Sequence, residues 1–238
     1  MVFTDTILSI ARKRVRVSNI SIKQSELRTT QDSSETSRFS QAANEQKINK
    51  TVTSLKGQGF KVKVVDNLEQ AKQEVEDIIP LDSEVFTATS QTLVESGLDS
   101  ELNESGKYIS VRNKFMKFYG QPEKAVEMKR IGSGADYAVG SVHAITEDGQ
   151  VIIASASGSQ IPNYVYGASN VIWVVGSQKL VKNLDEGLER LETYTFPLEN
   201  ERAKKAYGVG SSINKILIYR KETNERVTII LVREPVGF

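Results

Sequence analysis

From residue 44 onward the apolar residues switch repeatedly between a helical period and short β-branched runs, and no other feature restricts the fold as much. Ile48, Val52 and Leu55 stand at i, i+4 and i+7 ahead of Gly57 and Gly59, and residues 60–65 follow as a strand. The spacing predicts a second helix over 68–79, stopped by Pro80, then a strand over 84–89 and a helix from Ser90 to about 102. A short extended piece at 108–111 precedes a helix over 122–132 with Pro122 in its first turn. Leu180, Leu184, Leu188 and Leu191 predict a helix over 180–191, and another is predicted over 197–207. Residues 215–220 and 226–232 read as the last strands, joined through Glu222-Thr223-Asn224-Glu225 into an antiparallel hairpin at a sheet edge. Strands alternating with helices need crossover connections, which bury a parallel sheet between helices. The expected class is α/β: a three-layer, Rossmann-like, mostly parallel sheet with an antiparallel hairpin portion.

The middle of this pattern, residues 132–176, carries the densest local information. Residues 139–145 and 151–155 are rich in β-branched side chains, and Glu147-Asp148-Gly149 between them supplies the Asp-Gly pair of a tight hairpin turn. A small polar loop follows, Ala154-Ser155-Ala156-Ser157-Gly158-Ser159-Gln160, which buries little of itself and can present backbone N–H groups and hydroxyls to a ligand. After a short helix, residues 171–175 form a buried strand in which Trp173 is core.

Composition matters here for what it excludes. The chain has no cysteine, which removes disulfides, thiolate zinc sites, cysteine nucleophiles and cysteine-held iron–sulfur clusters together, so no such cofactor is expected on it. Lys and Arg total 31 against 30 acidic residues, a balance without general attraction for nucleic acid or an acidic membrane surface. Apolar runs are far short of a membrane span, and the apolar start at 7–11 precedes the basic residues, so no secretory leader is read and a cytoplasmic location is expected. Residues 1–42 differ in character from the rest: a short helical start, a basic cluster at Arg12, Lys13, Arg14 and Arg16, then a Ser/Thr-rich stretch. They are expected to form an N-terminal arm ahead of one α/β domain over 43–238, and the arm with the strand edges points to a homodimer.

In open α/β sheets, ligands bind beyond the carboxyl ends of the strands. Two places fit. At Thr89 and Ser90, within Thr87-Ala88-Thr89-Ser90-Gln91-Thr92, hydroxyls gather where a strand hands over to a helix, whose free N–H groups suit a phosphate or carboxylate; the plain alternative is that Ser90 only caps. At Ser155, Ser157, Gly158, Ser159 and Gln160 the polar loop can line the same pocket, or it can be a simple connection. Glu147 and the single histidine, His143, are the acid–base candidates, against a solvated turn for the first and a satisfied core imidazole for the second. A lone histidine makes no histidine-based metal site, and neither GxxxxGK[ST] nor a complete GxGxxG is present, so no metal or nucleotide cofactor is indicated.

The string from Ala135 to Gly176, followed by Gln178-Lys179-Leu180-Val181, resembles the lactate-utilisation (LUD) domain family. The likeness continues through Phe196-Pro197-Leu198-Glu199, Ala206-Tyr207-Gly208, Ile213-Asn214-Lys215 and Leu231-Val232-Arg233-Glu234 to Gly237-Phe238, and spans about residues 45–238. It implies the fold shared by ribose-5-phosphate isomerase, glucosamine-6-phosphate deaminase and CoA transferases (NagB/RpiA/CoA transferase-like). It also implies a small-residue strand-to-helix turn at Thr89-Ser90, and a pocket glutamate of the kind that serves those enzymes as nucleophile or base. Other branches of the family carry Gly-Asn-Arg where this chain has Gly158-Ser159-Gln160.

Three readings follow. The first is a subunit or accessory of a lactate-oxidising system, with iron–sulfur or flavin centres on partner subunits. The second is a stand-alone isomerase or CoA-transferase-type enzyme acting on a small phosphorylated or carboxylated metabolite, with Glu147 as its carboxylate. The third is a metabolite-binding module without catalysis.

Overall fold

The computed structural model describes residues 38–238. Of the arm expected over 1–42, residues 1–37 lie outside the described residues.

Helix α1, Glu45–Gly57, opens where the Asn44 side chain accepts from the Lys47 N–H and buries Ile48, Thr51 and Leu55 along one stripe. Strand β1, Lys61–Val65, and helix α2, Leu68–Ile78, follow; α2 is capped in the same way by Asn67 and stops ahead of Pro80. Strand β2, Glu84–Thr87, leads to a helical stretch that the sequence suggested was continuous. It is two helices, α3 (Gln91–Glu95) and α4 (Leu98–Glu104), because Gly97 between them takes φ +71, a left-handed conformation no helix interior tolerates. Strand β3, Ile109–Ser110, then runs into α5, Val111–Met116, a helix too short to be legible from periodicity. A 3-10 turn at Pro122–Lys124 starts α6, Ala125–Ile131.

The run expected as one strand over 139–145 divides between two sheets. β4, Ala135–Gly140, belongs to the large sheet, whereas β5, Ala144–Thr146, pairs antiparallel with β6, Val151–Ser155, across the predicted Asp148-Gly149 turn. Gly149 takes φ +88, as that turn requires. Strand β7, Ala168–Gly176, is followed by a 3-10 turn, Ser177–Lys179, and by β8, Leu180–Val181. Helix α7 covers Leu184–Arg190, shorter than its leucine spacing suggested because Leu180 is a strand residue and Asn183 caps the helix. Helix α8, Phe196–Tyr207, and strands β9, Lys215–Tyr219, and β10, Val227–Val232, complete the described chain.

Six strands form one parallel sheet in the order β1-β10-β7-β4-β2-β3. Alternate side chains of its central strands feed two cores. Val171, Trp173 and Val175 of β7 with Val227, Ile229 and Leu231 of β10 pack against α1 and the second sheet. Ile172 and Val174 with Ile230 and Val232 pack under α2, α3 and α4. The protein is therefore an α/β fold of three layers with a Rossmann-like parallel sheet in the middle.

The second sheet, in the order β8-β5-β6-β9, supplies the antiparallel part. Here the expected hairpin of the last two strands fails. β9 pairs antiparallel with β6 in the small sheet, while β10 lies between β1 and β7 at the heart of the large one. All of β10 except Thr228 is buried, and a run apolar at all its other positions suits a strand covered on both faces better than an edge.

Candidate functional site

Three ends of the parallel sheet converge on one cleft. β2 passes through Ala88-Thr89-Ser90 into α3, β4 through Ser141-Val142-His143 into β5, and β7 through Ser177–Lys179 into β8. Side chains from these turns, from α5 and α8 and from residues 209–213 line a cleft of ≈ 690 Å³. The last residue of β4 is Gly140, where a Cβ would fall 1.8 Å from the Tyr164 hydroxyl, so only glycine fits. The cleft thus lies beyond the carboxyl ends of the strands, the place open α/β sheets use for ligands.

At its floor is Lys179, 2 % exposed, whose Nζ donates to Thr92 Oγ1 and to Ser141 Oγ, each at 3.0 Å. The amine ties together groups that follow three different strands. Among the described residues no carboxylate pairs with it. Burial, reinforced by the nearby Arg190 charge and opposed by that of Glu95, pulls its pKa down to about 7. The other cations at the cleft are neutralised: Arg112 pairs with Asp99 at 3.0 Å, and Arg202 grips both oxygens of Glu199 at 2.7 Å, which holds its guanidinium even more firmly charged.

His143 stands in the wall. Its Nδ1 accepts from the Ala154 N–H at 3.1 Å, so the proton of the neutral ring sits on Nε2. Burial first, then the charges of Lys179 and Arg190, push its pKa down to about 3. A ring so disposed to stay neutral suits hydrogen-bond donation better than proton abstraction at neutral pH. Its backbone carbonyl accepts from Arg190 Nη1 at 2.6 Å, and the same nitrogen lies 2.7 Å from Thr195 Oγ1.

The polar groups singled out from sequence are partly brought together. Thr89, Ser90, Ser155, Ser157, Ser159 and Gln160 line the cleft with His143. Gly158 is not among the lining residues; it takes φ +87 against the Lys215 side chain and closes the loop. The loop largely answers its own polar groups: Ser155 Oγ accepts from the Gly158 N–H at 2.8 Å and donates to Gln160 Oε1 at 2.9 Å, and Gln160 Nε2 donates to the Ala154 carbonyl. It is a satisfied turn more than an open cradle of N–H groups. At Thr89-Ser90 the expected helix terminus is α3, only five residues long and without a side-chain cap from Ser90, so its dipole adds little and the hydroxyls are the polar feature.

Glu147 lies elsewhere. It sits beyond β5 at the end away from the cleft, where its carboxylate pairs with Lys50 at 2.6 Å and its N–H donates to the Val181 carbonyl. Three strand residues separate it from His143, enough to carry it to the opposite end of the small sheet. The acidic side chain that does line the cleft is Glu199, held by Arg202. Sequence reasoning passed over Lys179 and Ser141, and named Thr92 only within the hydroxyl cluster before α3. The available signal was a lysine four residues past the apolar run Val171–Val175, close enough to a buried strand that a cation there survives burial only with partners.

Among the described residues no group of three or more His, Cys, Asp or Glu side chains could hold a metal ion, and no helix is long and apolar enough to cross a membrane. The family model for the LUD domain matches residues 48–232. Among solved structures, a crystal structure of a DUF162 family protein from Deinococcus radiodurans is 12 % identical, with 81 % of this chain and 99 % of that chain covered and a TM-score of 0.49. A search of curated proteins found none that matches.

Proposed function

The chain belongs to the LUD-domain family, and from that premise we propose that it binds the carboxylate of an organic acid, a 2-hydroxy or 2-oxo acid, in the cleft beyond β2, β4 and β7. In this reading it serves lactate utilisation as a subunit or accessory whose redox partners, iron–sulfur or flavin subunits, are separate chains. No residue of this sequence is a cysteine, so a cysteine-held cluster has to belong to a partner.

The observation that carries the reading is Lys179. It is a basic group at the cleft floor with two hydroxyls as hydrogen-bond partners and, among the described residues, no carboxylate within ion-pair distance, while Arg112 and Arg202 are each taken by an acid. A carboxylate that replaced water there would form a charge-assisted pair in a site where solvent screens little, and would draw the lysine toward its charged form. Ser90, Thr89 and Nε2 of His143 are the donors for the remaining oxygens of a 2-hydroxy or 2-oxo acid, with Ser155, Ser157, Ser159 and Gln160 bordering them. Chemistry that needs a carboxylate nucleophile, as in the isomerase and CoA-transferase readings, has less support, because Glu147 lies outside the cleft and Glu199 is bound by Arg202.

Thermal unfolding of the purified chain tests this. A saturating 2-hydroxy or 2-oxo acid, at about 100 times its Kd, is expected to raise Tm by about 7 °C, equivalent to ~2.7 kcal/mol. Lys179→Met should abolish the response without loss of fold. No response to any such acid at millimolar concentration sinks the proposal.

A further inference from the structure

Resting on the reading of the cleft as an organic-acid site, we propose that the acid it takes carries an aromatic substituent, larger than the methyl group of lactate, seated against an apolar rim formed by Met116, Tyr119, Tyr207 and Val209.

Size is the first argument. The cleft measures ≈ 690 Å³, within the range that encloses ligands far larger than a hydroxy acid. A three-carbon acid has six non-hydrogen atoms and displaces on the order of four waters, each about 30 Å³. Most of the cleft would then remain filled by solvent in contact with apolar walls.

The distribution of chemistry is the second. The polar lining includes a buried group, Lys179 and Thr92 at 2 % and 1 % exposure, with Ser141 hydrogen-bonded to the lysine. Large apolar side chains gather at the mouth, where Met116 is 44 % exposed, Tyr119 72 %, Tyr207 58 % and Val209 67 %. They come from two separate parts of the chain, the end of α5 and the end of α8, yet line the same opening. Exposed apolar surface concentrated at the mouth of a polar-floored cleft is the surface of a site for an amphiphile.

The rim is also braced. Arg202, fixed in its two-point pair with Glu199, stands 5.6 Å from the centroid of the Tyr207 ring. Next to Met116 in sequence, Phe115 packs on Phe86 with ring centroids 6.4 Å apart. A Tyr207 ring held this way presents contact area at little entropic cost, so an aryl group packing on it keeps most of the gain from its burial.

Isothermal titration with lactate and with 3-phenyllactate separates this proposal from the reading beneath it. Burial of the phenyl ring against the rim predicts that 3-phenyllactate binds about 30-fold more tightly than lactate. The double variant Tyr119→Ala/Tyr207→Ala should reduce that advantage to about threefold while leaving the lactate affinity unchanged. Both side chains are exposed, so the variant is expected to fold, and its unfolding midpoint checks this. Equal affinities for the two acids overturn the aromatic-substituent proposal and leave the acid site standing. Tighter binding of 3-phenyllactate that survives the double substitution overturns the assignment to the rim. Failure of both acids to bind overturns the acid site itself, and this inference with it.

Discussion

Lys179 and Arg190 are both basic side chains carried out of water, 2 % and 0 % exposed, and the fold treats them in opposite ways. Arg190 is a planar donor pinned inside the protein: it gives hydrogen bonds to the His143 carbonyl and the Thr195 hydroxyl, and its guanidinium lies 5.1 Å from the Tyr194 ring centroid. Its charge is spread over five N–H groups, and burial lowers its pKa only to about 10, so it stays protonated. Lys179 is a compact charge that meets two hydroxyls and then the cleft, and its pKa falls to about 7. The difference separates a cation that closes structure from a cation whose remaining bonding capacity faces a space large enough for a ligand. The two are also coupled, since each unit of charge on Arg190 makes the charged form of Lys179 less favourable.

Substitution should expose this asymmetry. The largest effect is expected from Arg190→Ala, which strands the His143 carbonyl and the Thr195 hydroxyl in the interior and opens a cavity; stability in urea denaturation should fall by about 4 kcal/mol. A loss under about 1 kcal/mol would mean that Arg190 is not structural. Lys179→Met should do the reverse at neutral pH, with stability unchanged or raised while ligand response disappears.

A pH series sharpens the contrast. Between pH 7 and 10.5 the unfolded chain keeps a proton on Lys179 that the folded chain has lost, so this lysine makes folding stability rise with pH across that window, by up to ~1.4 kcal/mol per unit. Lys179→Met should lack that rise, and identical pH profiles for the two proteins would show that the lysine keeps an ordinary pKa. Binding moves the other way. Affinity for a carboxylate should be flat below pH 7 and fall about tenfold per unit above it, as the amine loses its charge, until the pKa of the liganded amine is passed. The neighbouring charges hold steady meanwhile: His143 is neutral, with its pKa near 3, and Arg190 is protonated up to about pH 10. Calorimetry from pH 6 to 9 reads this slope directly.

The smallest effect should follow Glu147→Gln. Its partner Lys50 is 63 % exposed, so loss of the pair should cost under about 1 kcal/mol and leave ligand response intact. A lost ligand response would restore Glu147 as a functional candidate and undo its separation from the cleft.

How much of this could be read in advance depends on the range over which each feature is decided. The helix at Glu45–Gly57 and the turn at Asp148-Gly149 are set by residues within a few positions of one another, and both were legible. The break at Gly97 was not, since a single glycine within a helical pattern is tolerated and does not by itself mark a break. The last two strands were misassigned because neighbouring strands joined by a short turn pair by default, and only the competition for apolar cover sends Val227–Val232 to the centre of the large sheet. Among the residues that line the cleft, Thr89, Ser90 and Ser155 were legible from their place after strands, while Glu147, close to His143 in sequence, lies outside the cleft.

By itself the sequence determined the α/β class, the alternation of strand and helix, the tight turn into β6 and the exclusion of cysteine chemistry, because periodicity, turn residues and composition are local properties of the chain. Only the tertiary structure decided which sheet each strand enters and what surrounds Lys179. Its partners Thr92 and Ser141 lie 87 and 38 residues away, and the lowered pKa arises from burial beside Arg190. Desolvation and Coulomb coupling act through space, over a few ångströms that exist only once the strand ends have been brought together.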